Sequence, residues 1–266
     1  MRPADQTAAD LSVGNSFRSC LDSVFAASET GMDFHYHGHS CFSVIMPGAG
    51  GASAKTRLLF DPFLTSNPRA SITASKVKAD VILVTHGHFD HIEDAALIAK
   101  RTKAKVLAAF EVGEWLKAQG VEAGQIQPLN HGGTVRLESS TAQMVNAVHS
   151  SSLPDGSYGG NPGGFVIRSA KAGAFYYSGD TALTMDMQLI PRKGALRFAV
   201  LSIGDSFTMG PDDALEAAKL LECDEIVGVH FDTWPPLKIN HRAAKSLFAK
   251  AGKTLHLPSP GDTLRF

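Results

Sequence analysis

Apolar residues arrive in short runs with polar punctuation between them. "CFSVIM" (41–46), "RLLFD" (57–61), "DVILVTH" (80–86), "AKVLAA" (104–109), "TVRLE" (134–138) and "AQMVNAV" (142–148) have strand length and β-branched or aromatic content. The series continues with "GFVIRS" (164–169), "AFYYSG" (174–179), "FAVLSI" (198–203), "EIVGVH" (225–230) and "TLHLP" (254–258). Helical patterns fall between the runs at 92–102, 111–120, 211–221 and 241–252. Two of these stop at a glycine, and Pro211 stands where a first-turn proline is tolerated, with Asp212 and Asp213 near the helix N-terminus. The chain thus opens on strands and then alternates strand with helix. Two sheets packed face to face, with helices outside, account for that order.

Composition adds little to this picture and removes much. The chain has 266 residues, 44% of them hydrophobic and 19% charged, and a net charge of -1. That is the balance of an ordinary globular protein, without the basic footprint of a nucleic-acid or anionic-membrane binder. No apolar run reaches the length of a membrane span. Cys20, Cys41 and Cys223 form no CxxC pair, so buried thiols in a reducing cytoplasm are expected. Residues 1–31 carry no signal-peptide pattern and are expected to be a poorly ordered tail. A single folded domain is expected over 32–266, and Met32 is a second candidate start of translation. "PGAGGASAK" (47–55) reads as a flexible hairpin loop. "SSSLPDGSYGGNPGG" (150–164) is long enough for a lid or binding loop, with a disordered surface loop as the alternative.

The chemistry is concentrated in "THGHFDHIED" (85–94), which places three histidines and an aspartate within six positions. The strand "DVILVT" ends in His86, and in extended chain His86 and His88 point to the same side and can reach one ion. Asp90 and His91 follow as the chain turns into the next helix, toward a neighbouring spot. Imidazole and carboxylate ligands suit zinc, manganese or iron. One ion takes about three protein ligands plus water, so four ligands from one turn suggest two ions. His149, Asp180 and His230 each sit just past an apolar run, where neighbouring strands deliver side chains to one sheet edge. Singly, each is a turn residue or a satisfied histidine; as an ordered series they extend the site.

"HGHFDH", a lone histidine, "GDT" and a late histidine together resemble the metallo-β-lactamase superfamily. The resemblance spans the chain from about Met32 to its end and implies a four-layer αββα sandwich with metals at one sheet edge. It implies that His86, His88 and His149 hold the first metal, that Asp90, His91 and His230 hold the second, and that Asp180 bridges both. Asp61 matches an early aspartate that accepts hydrogen bonds from the ligands. "YHGHSCF" (36–42), "DPFLTSNP" (61–68), "SGDTAL" (178–183) and "IGDSFTMGPDDAL" (203–215) resemble a subgroup of metal-dependent hydrolases. That subgroup is similar to L-ascorbate-6-phosphate lactonase and, more distantly, to N-acyl phosphatidylethanolamine phospholipase D.

A hydrolase using two divalent ions and a bridging hydroxide on a small ester, lactone or phosphoester is therefore expected, zinc first, with manganese or iron as alternatives. Asp90 is a candidate proton acceptor. His39 is a candidate for orienting substrate or stabilising an oxyanion, against a purely structural hydrogen bond. Thr208 either lines the site or belongs to a helix-capping loop. His35, His37 and His131 read as local or surface residues, with His131 also a candidate pocket residue. The stretch 231–240, with Trp234, is a pocket wall or a subunit contact, and a homo-oligomer is left open. An iron oxidoreductase and a nuclease are the competing activities. Neither a flavin-binding domain nor an inserted nucleic-acid domain is expected within these residues, and they contain no GxSxG elbow, phosphate-binding P-loop or dinucleotide fingerprint.

Overall fold

The apolar runs pair into two sheets in a computed structural model that describes residues 30–50 and 54–266. The first sheet runs β14 (Thr263–Arg265), β1 (Asp33–Gly38), β2 (Cys41–Pro47), β3 (Lys55–Phe60), β4 (Val81–Leu83), β5 (Lys105–Ala108) and β6 (Ile126–Pro128), edge to edge. The second runs β13 (Thr254–His256), β12 (Glu225–Val229), β11 (Phe198–Ser202), β10 (Gly173–Tyr177), β9 (Gly163–Ser169), β8 (Thr141–Asn146) and β7 (Thr134–Arg136). Each sheet has an antiparallel half and a parallel half. In the first, β14 to β3 are antiparallel and β3 to β6 parallel. In the second, β7 to β10 are antiparallel and β10 to β13 parallel. Parallel neighbours need crossovers, and helices supply those from β4 to β5, β5 to β6, β11 to β12 and β12 to β13. The helices are α1 (Phe89–Ile92), α2 (Ala95–Thr102), α3 (Phe110–Ala118), α4 (Pro211–Leu220) and α5 (His241–Lys250). The result is the expected αββα sandwich.

Aromatic side chains fill the space between the sheets. Phe34, Phe42, Phe60, Phe165, Phe175, Tyr177 and Phe198 are all fully buried in one continuous core. Phe42 stacks on Phe60 at 4.6 Å and meets Tyr177 across the sheets at 4.9 Å, edge to face. Each such ring contributes roughly 1.5–3 kcal/mol by leaving water. A second apolar layer, with Val166, Tyr176, Leu201 and Phe248, lies on the outer face of the second sheet, under α4, α5 and the helical turns that follow β10.

Three strands escape the sequence reading: β1, β6 and β14. β1 alternates cleanly, with Phe34 and Tyr36 inward and His35 and His37 less buried, but its histidines mask the pattern. The helix expected over 92–102 is broken at Glu93 and Asp94. Asp94 leaves the helical pattern to accept hydrogen bonds from Leu64 N at 2.7 Å and Thr65 N at 2.8 Å, holding the loop after Asp61. The hairpin loop at 47–55 lies partly outside the described residues, as does nearly all of the expected tail. Met32 is already buried and pairs with Phe266 through two backbone hydrogen bonds, of 2.7 and 2.9 Å. Cys41 and Cys223 are buried free thiols, as expected; Cys20 lies outside the described residues.

Candidate metal centre

Strand ends of both sheets turn toward one another at one edge of the sandwich. β4 runs out into Thr85, His86 and Gly87, and α1 then lifts Asp90 and His91 back over the same spot. β8 leads to His149, β10 to Asp180 and β12 to His230. Placement at the carboxyl ends of strands is the general location of ligand sites in open α/β sheets. The backbone bends sharply to do this: Asp61, His39 and His230 take left-handed φ values of 40, 57 and 58°. Such conformations in non-glycine residues cost on the order of 1–3 kcal/mol each and gather at functional sites. The two histidines secure each other, since His230 N donates to His39 O at 2.9 Å, tying the sheets together at the site.

The donor atoms fall into overlapping groups. His86, His88 and His149 form one, His39, Asp90, His91 and His230 a second, and His86, His91 and Asp180 a third, with the donors within each lying inside 4.8 Å of one another. These groups contain all seven residues expected as ligands, plus His39. His86 Nε2 and His88 Nδ1 are 3.0 Å apart, the same-side geometry expected of residues two apart. Asp180 lies between the groups: its Oδ2 is 3.2 Å from His91 Nε2, 3.0 Å from His230 Nε2 and 3.9 Å from His149 Nε2.

The residues fit a metal. Buried polar atoms normally find partners, yet Asp180 Oδ1 is buried with none among the described residues, and His91 Nε2 has only Asp180 Oδ2, at 3.2 Å. A cation accepting those lone pairs would remove that cost. The electrostatics agree. Burial alone would lower the His91 pKa, but Asp180 and Asp61 outweigh it and hold it well above the usual histidine value. Burial alone would raise the pKa of Asp180, but His230 and His91 hold it well below the carboxylate range. Burial, with His91 adding to it, keeps His86 neutral and therefore able to donate a lone pair.

Asp61 orders the cluster from below. Its Oδ1 accepts Thr85 N at 2.8 Å, and its Oδ2 accepts Thr85 Oγ1 at 2.7 Å and Tyr177 Oη at 2.7 Å. His91 Nδ1 is 2.8 Å from the same oxygen. Donation from Nδ1 leaves Nε2 as the lone-pair nitrogen facing the cluster. His39 is fully enclosed, with Nε2 at 3.1 Å from Asp90 Oδ2 and Nδ1 at 2.8 Å from Thr233 Oγ1.

A pocket of about 520 Å³ opens over this cluster, walled by Phe89, Phe207, Trp234 and Leu237 with Ser150 beside the ligands. Trp234 therefore belongs to the pocket wall. The remaining candidates fall elsewhere. Thr208 is a turn residue whose N–H donates to Asp205 O at 2.8 Å, and its neighbour Phe207 is the one at the pocket. His131 sits against Pro162 O at 2.7 Å, away from the metal pocket. His35 and His37 pair with Thr263 and Ser43, each at 2.8 Å. The 150–164 segment brings Ser150 to the pocket. It is a small hairpin, bridged at Ser152 and Tyr158, with Leu153 N donating to Ser157 O at 2.8 Å. It packs on the histidine turn: Ser151 Oγ accepts Gly87 N at 3.0 Å, and a Cβ on Gly87 would stand 3.0 Å from Leu153. Gly87 thus makes room for this hairpin.

Sequence reasoning missed Phe89, Phe207, Thr85, Thr233 and Tyr177. Tyr177 carried no separable signal, because "AFYYSG" reads as core strand. Phe89 carried a faint one: an aromatic inside a metal-binding turn, left 53% exposed.

Two facing mixed sheets with a histidine–aspartate cluster at one edge define a protein of the metallo-β-lactamase fold. The Beta-lactamase superfamily domain matches residues 56–231. A UPF0173 metal-dependent hydrolase of Methylacidiphilum infernorum is 47% identical over 82% of this chain and 92% of its own. The structure of Igni18, a metallo hydrolase from Ignicoccus hospitalis, superposes with a TM-score of 0.77 at 31% identity, over 89% of this chain and 99% of that one. CmlA, a diiron β-hydroxylase from Streptomyces venezuelae, shares the fold at a TM-score of 0.67 and 17% identity, over 88% of this chain and 54% of that one. The chain belongs to the β-lactamase superfamily, among its UPF0173 metal-dependent hydrolases. No helix among the described residues is long and apolar enough to cross a membrane.

Proposed function

We propose that the chain is a dinuclear metal hydrolase acting on a small neutral ester or lactone. The observation that carries this reading is the position of Asp180 Oδ2, within 3.9 Å of His149 on one side and 3.0 Å of His230 on the other. His86, His88 and His149 would hold one ion and Asp90, His91 and His230 the other, with Asp180 between them. Two divalent ions, zinc first and manganese or iron as alternatives, would lower the pKa of a bound water to about 7 and polarise the scissile carbonyl.

The chain's own side chains do the rest. Asp90 Oδ2 faces the cluster and is the acceptor for a proton leaving the nucleophile. Burial would raise its pKa, but His39 and His91 hold it below the usual range, so it is ionised, and a proton it accepts is held only weakly and passed on. His39 acts through Asp90, fixing the carboxylate with Nε2 while Thr233 fixes the ring. Phe89, Phe207 and Trp234 offer an apolar, aromatic wall to a substrate body and limit water at the reacting bond. No lysine or arginine lines this pocket among the described residues. A phosphate held away from the reacting bond would find no cationic side chain there, and that favours a substrate whose body is neutral.

The test is metal content on protein purified without chelator or affinity-column metal, followed by a panel of neutral esters, lactones and phosphomonoesters. Two zinc or manganese ions per chain are expected, with kcat/KM for neutral esters or lactones above that for phosphomonoesters. Preferential phosphomonoester turnover would overturn the neutral-substrate reading. Iron in both places, with no hydrolysis, would favour an oxidoreductase, as with the diiron β-hydroxylase CmlA on the same fold. His149→Ala tests the first set. It is expected to lose that ion and to lower turnover by at least about 10²-fold, the scale for removing one preorganised stabilising group. Because His149 contributes to the site and not to the core, its melting profile after chelation should match that of the chelated parent.

A further inference from the structure

A second cavity of about 700 Å³, larger than the metal pocket, lies on the outer face of the second sheet. Helices α4 and α5 pack over β11 and β13, leaving the β8–β9–β10 face to the helical turns Met185–Leu189 and Pro191–Lys193. Val145, Val166 and Tyr176 floor the cavity, and Met187 and Ile190 wall it. It shares no lining residue with the metal pocket. Its size falls within the range of about 300–1,000 Å³ typical of small-molecule sites.

The polar groups in it are unevenly charged and incompletely satisfied. Arg168, Arg192 and Lys193 line it against a single carboxylate, Asp186, which is already engaged by Asn146 Nδ2 at 2.7 Å. Arg168 reaches Gly194 O at 3.2 Å and Ile190 O at 2.8 Å through its terminal nitrogens, bracing the wall. Its Nε remains buried with no partner among the described residues. Tyr176 is fully buried, and its hydroxyl likewise has none. These two atoms are closed to solvent, and it is the cationic rim beside an apolar floor that suits a ligand negative at one end and apolar at the other.

We propose that this cavity binds a small amphipathic carboxylate, its head toward Arg168, Arg192 and Lys193 and its apolar body over Val145 and Val166. The site is separate from the hydrolytic one and does not depend on that reading. Octanoate is the probe, with 1-octanol as the neutral match, titrated calorimetrically into the metal-loaded protein. Octanoate is expected to bind at least about tenfold more tightly than octanol, a ratio that corresponds to about 1.4 kcal/mol. Arg192 and Lys193 are exposed, so the double variant Arg192→Glu/Lys193→Glu should fold normally and weaken octanoate binding at least about tenfold. His149→Ala should leave it unchanged. Loss of octanoate binding in His149→Ala, with none in the charge-reversed variant, would place the anion on the metal centre and overturn the proposal. Equal binding of octanol and octanoate, or no binding of either, would overturn it too.

Discussion

Asp180→Asn is expected to abolish stable binding of the metal pair and to lower hydrolysis by at least about 10²–10³-fold, with the fold retained. The substitution keeps shape and volume while removing the charge and one acceptor oxygen. That charge is present in the native protein, because His230 and His91 hold the buried carboxyl well below its usual pKa against the desolvation that opposes them. Asparagine offers a weaker, neutral oxygen. It also brings an amide N–H₂ into a space where Oδ2 now lies 3.0 Å from His230 Nε2 and 3.2 Å from His91 Nε2. Both proposed metal sets lose a shared anion at once, which is why this change should exceed His149→Ala in effect. Elemental analysis after gel filtration gives the metal count, and initial rates on the best neutral ester give the loss. A full metal complement with parental turnover would show that Asp180 does not join the two sets.

The ligand turn was legible because metal sites require rare side chains at short spacing. Three histidines and an aspartate in "HGHFDH" have few other uses, and the strand before them fixes which side they face. The sandwich was legible for a related reason: strands of "VILV" or "FAVLSI" type, buried on both faces, read as continuous apolar runs. What stayed hidden depends on distant chain segments meeting. Thr233 is separated from His39 by 194 residues, and nothing local in either marks the pair. Tyr177 looks like any core aromatic until Asp61, 116 residues away, comes under its hydroxyl. The 150–164 loop has the composition of a mobile segment. Its fixed shape comes from packing on Gly87, a contact that its own sequence does not announce. Phe207 entered the pocket in place of Thr208 because Asp205 and Ser206 take left-handed φ values of 57 and 28°, a turn that composition alone does not reveal.

Asp61→Ala should produce the largest loss of stability of any single change near the site, about 3–5 kcal/mol, the scale for breaking a fully buried ion pair. The carboxylate is wholly buried and takes three hydrogen bonds from Thr85 and Tyr177, with His91 Nδ1 as its fourth partner at 2.8 Å. Alanine strands these donors without water to replace their acceptor, and each stranded group costs about 1–3 kcal/mol. Metal affinity should fall by about 10–100-fold in the same variant, because His91 loses the partner that fixes its ring and tautomer. Tyr177→Phe separates the two effects. It removes one donor, leaves Thr85 and His91 on Asp61, and should cost only about 1 kcal/mol with the metal retained. Urea unfolding of chelated and metal-loaded protein reads both quantities, since ligand linkage adds to stability only in the loaded form. If Asp61→Ala unfolded at the parental midpoint after chelation, the carboxylate would not be what holds the strand ends together. If it kept parental metal affinity, the ring of His91 would be positioned by packing alone.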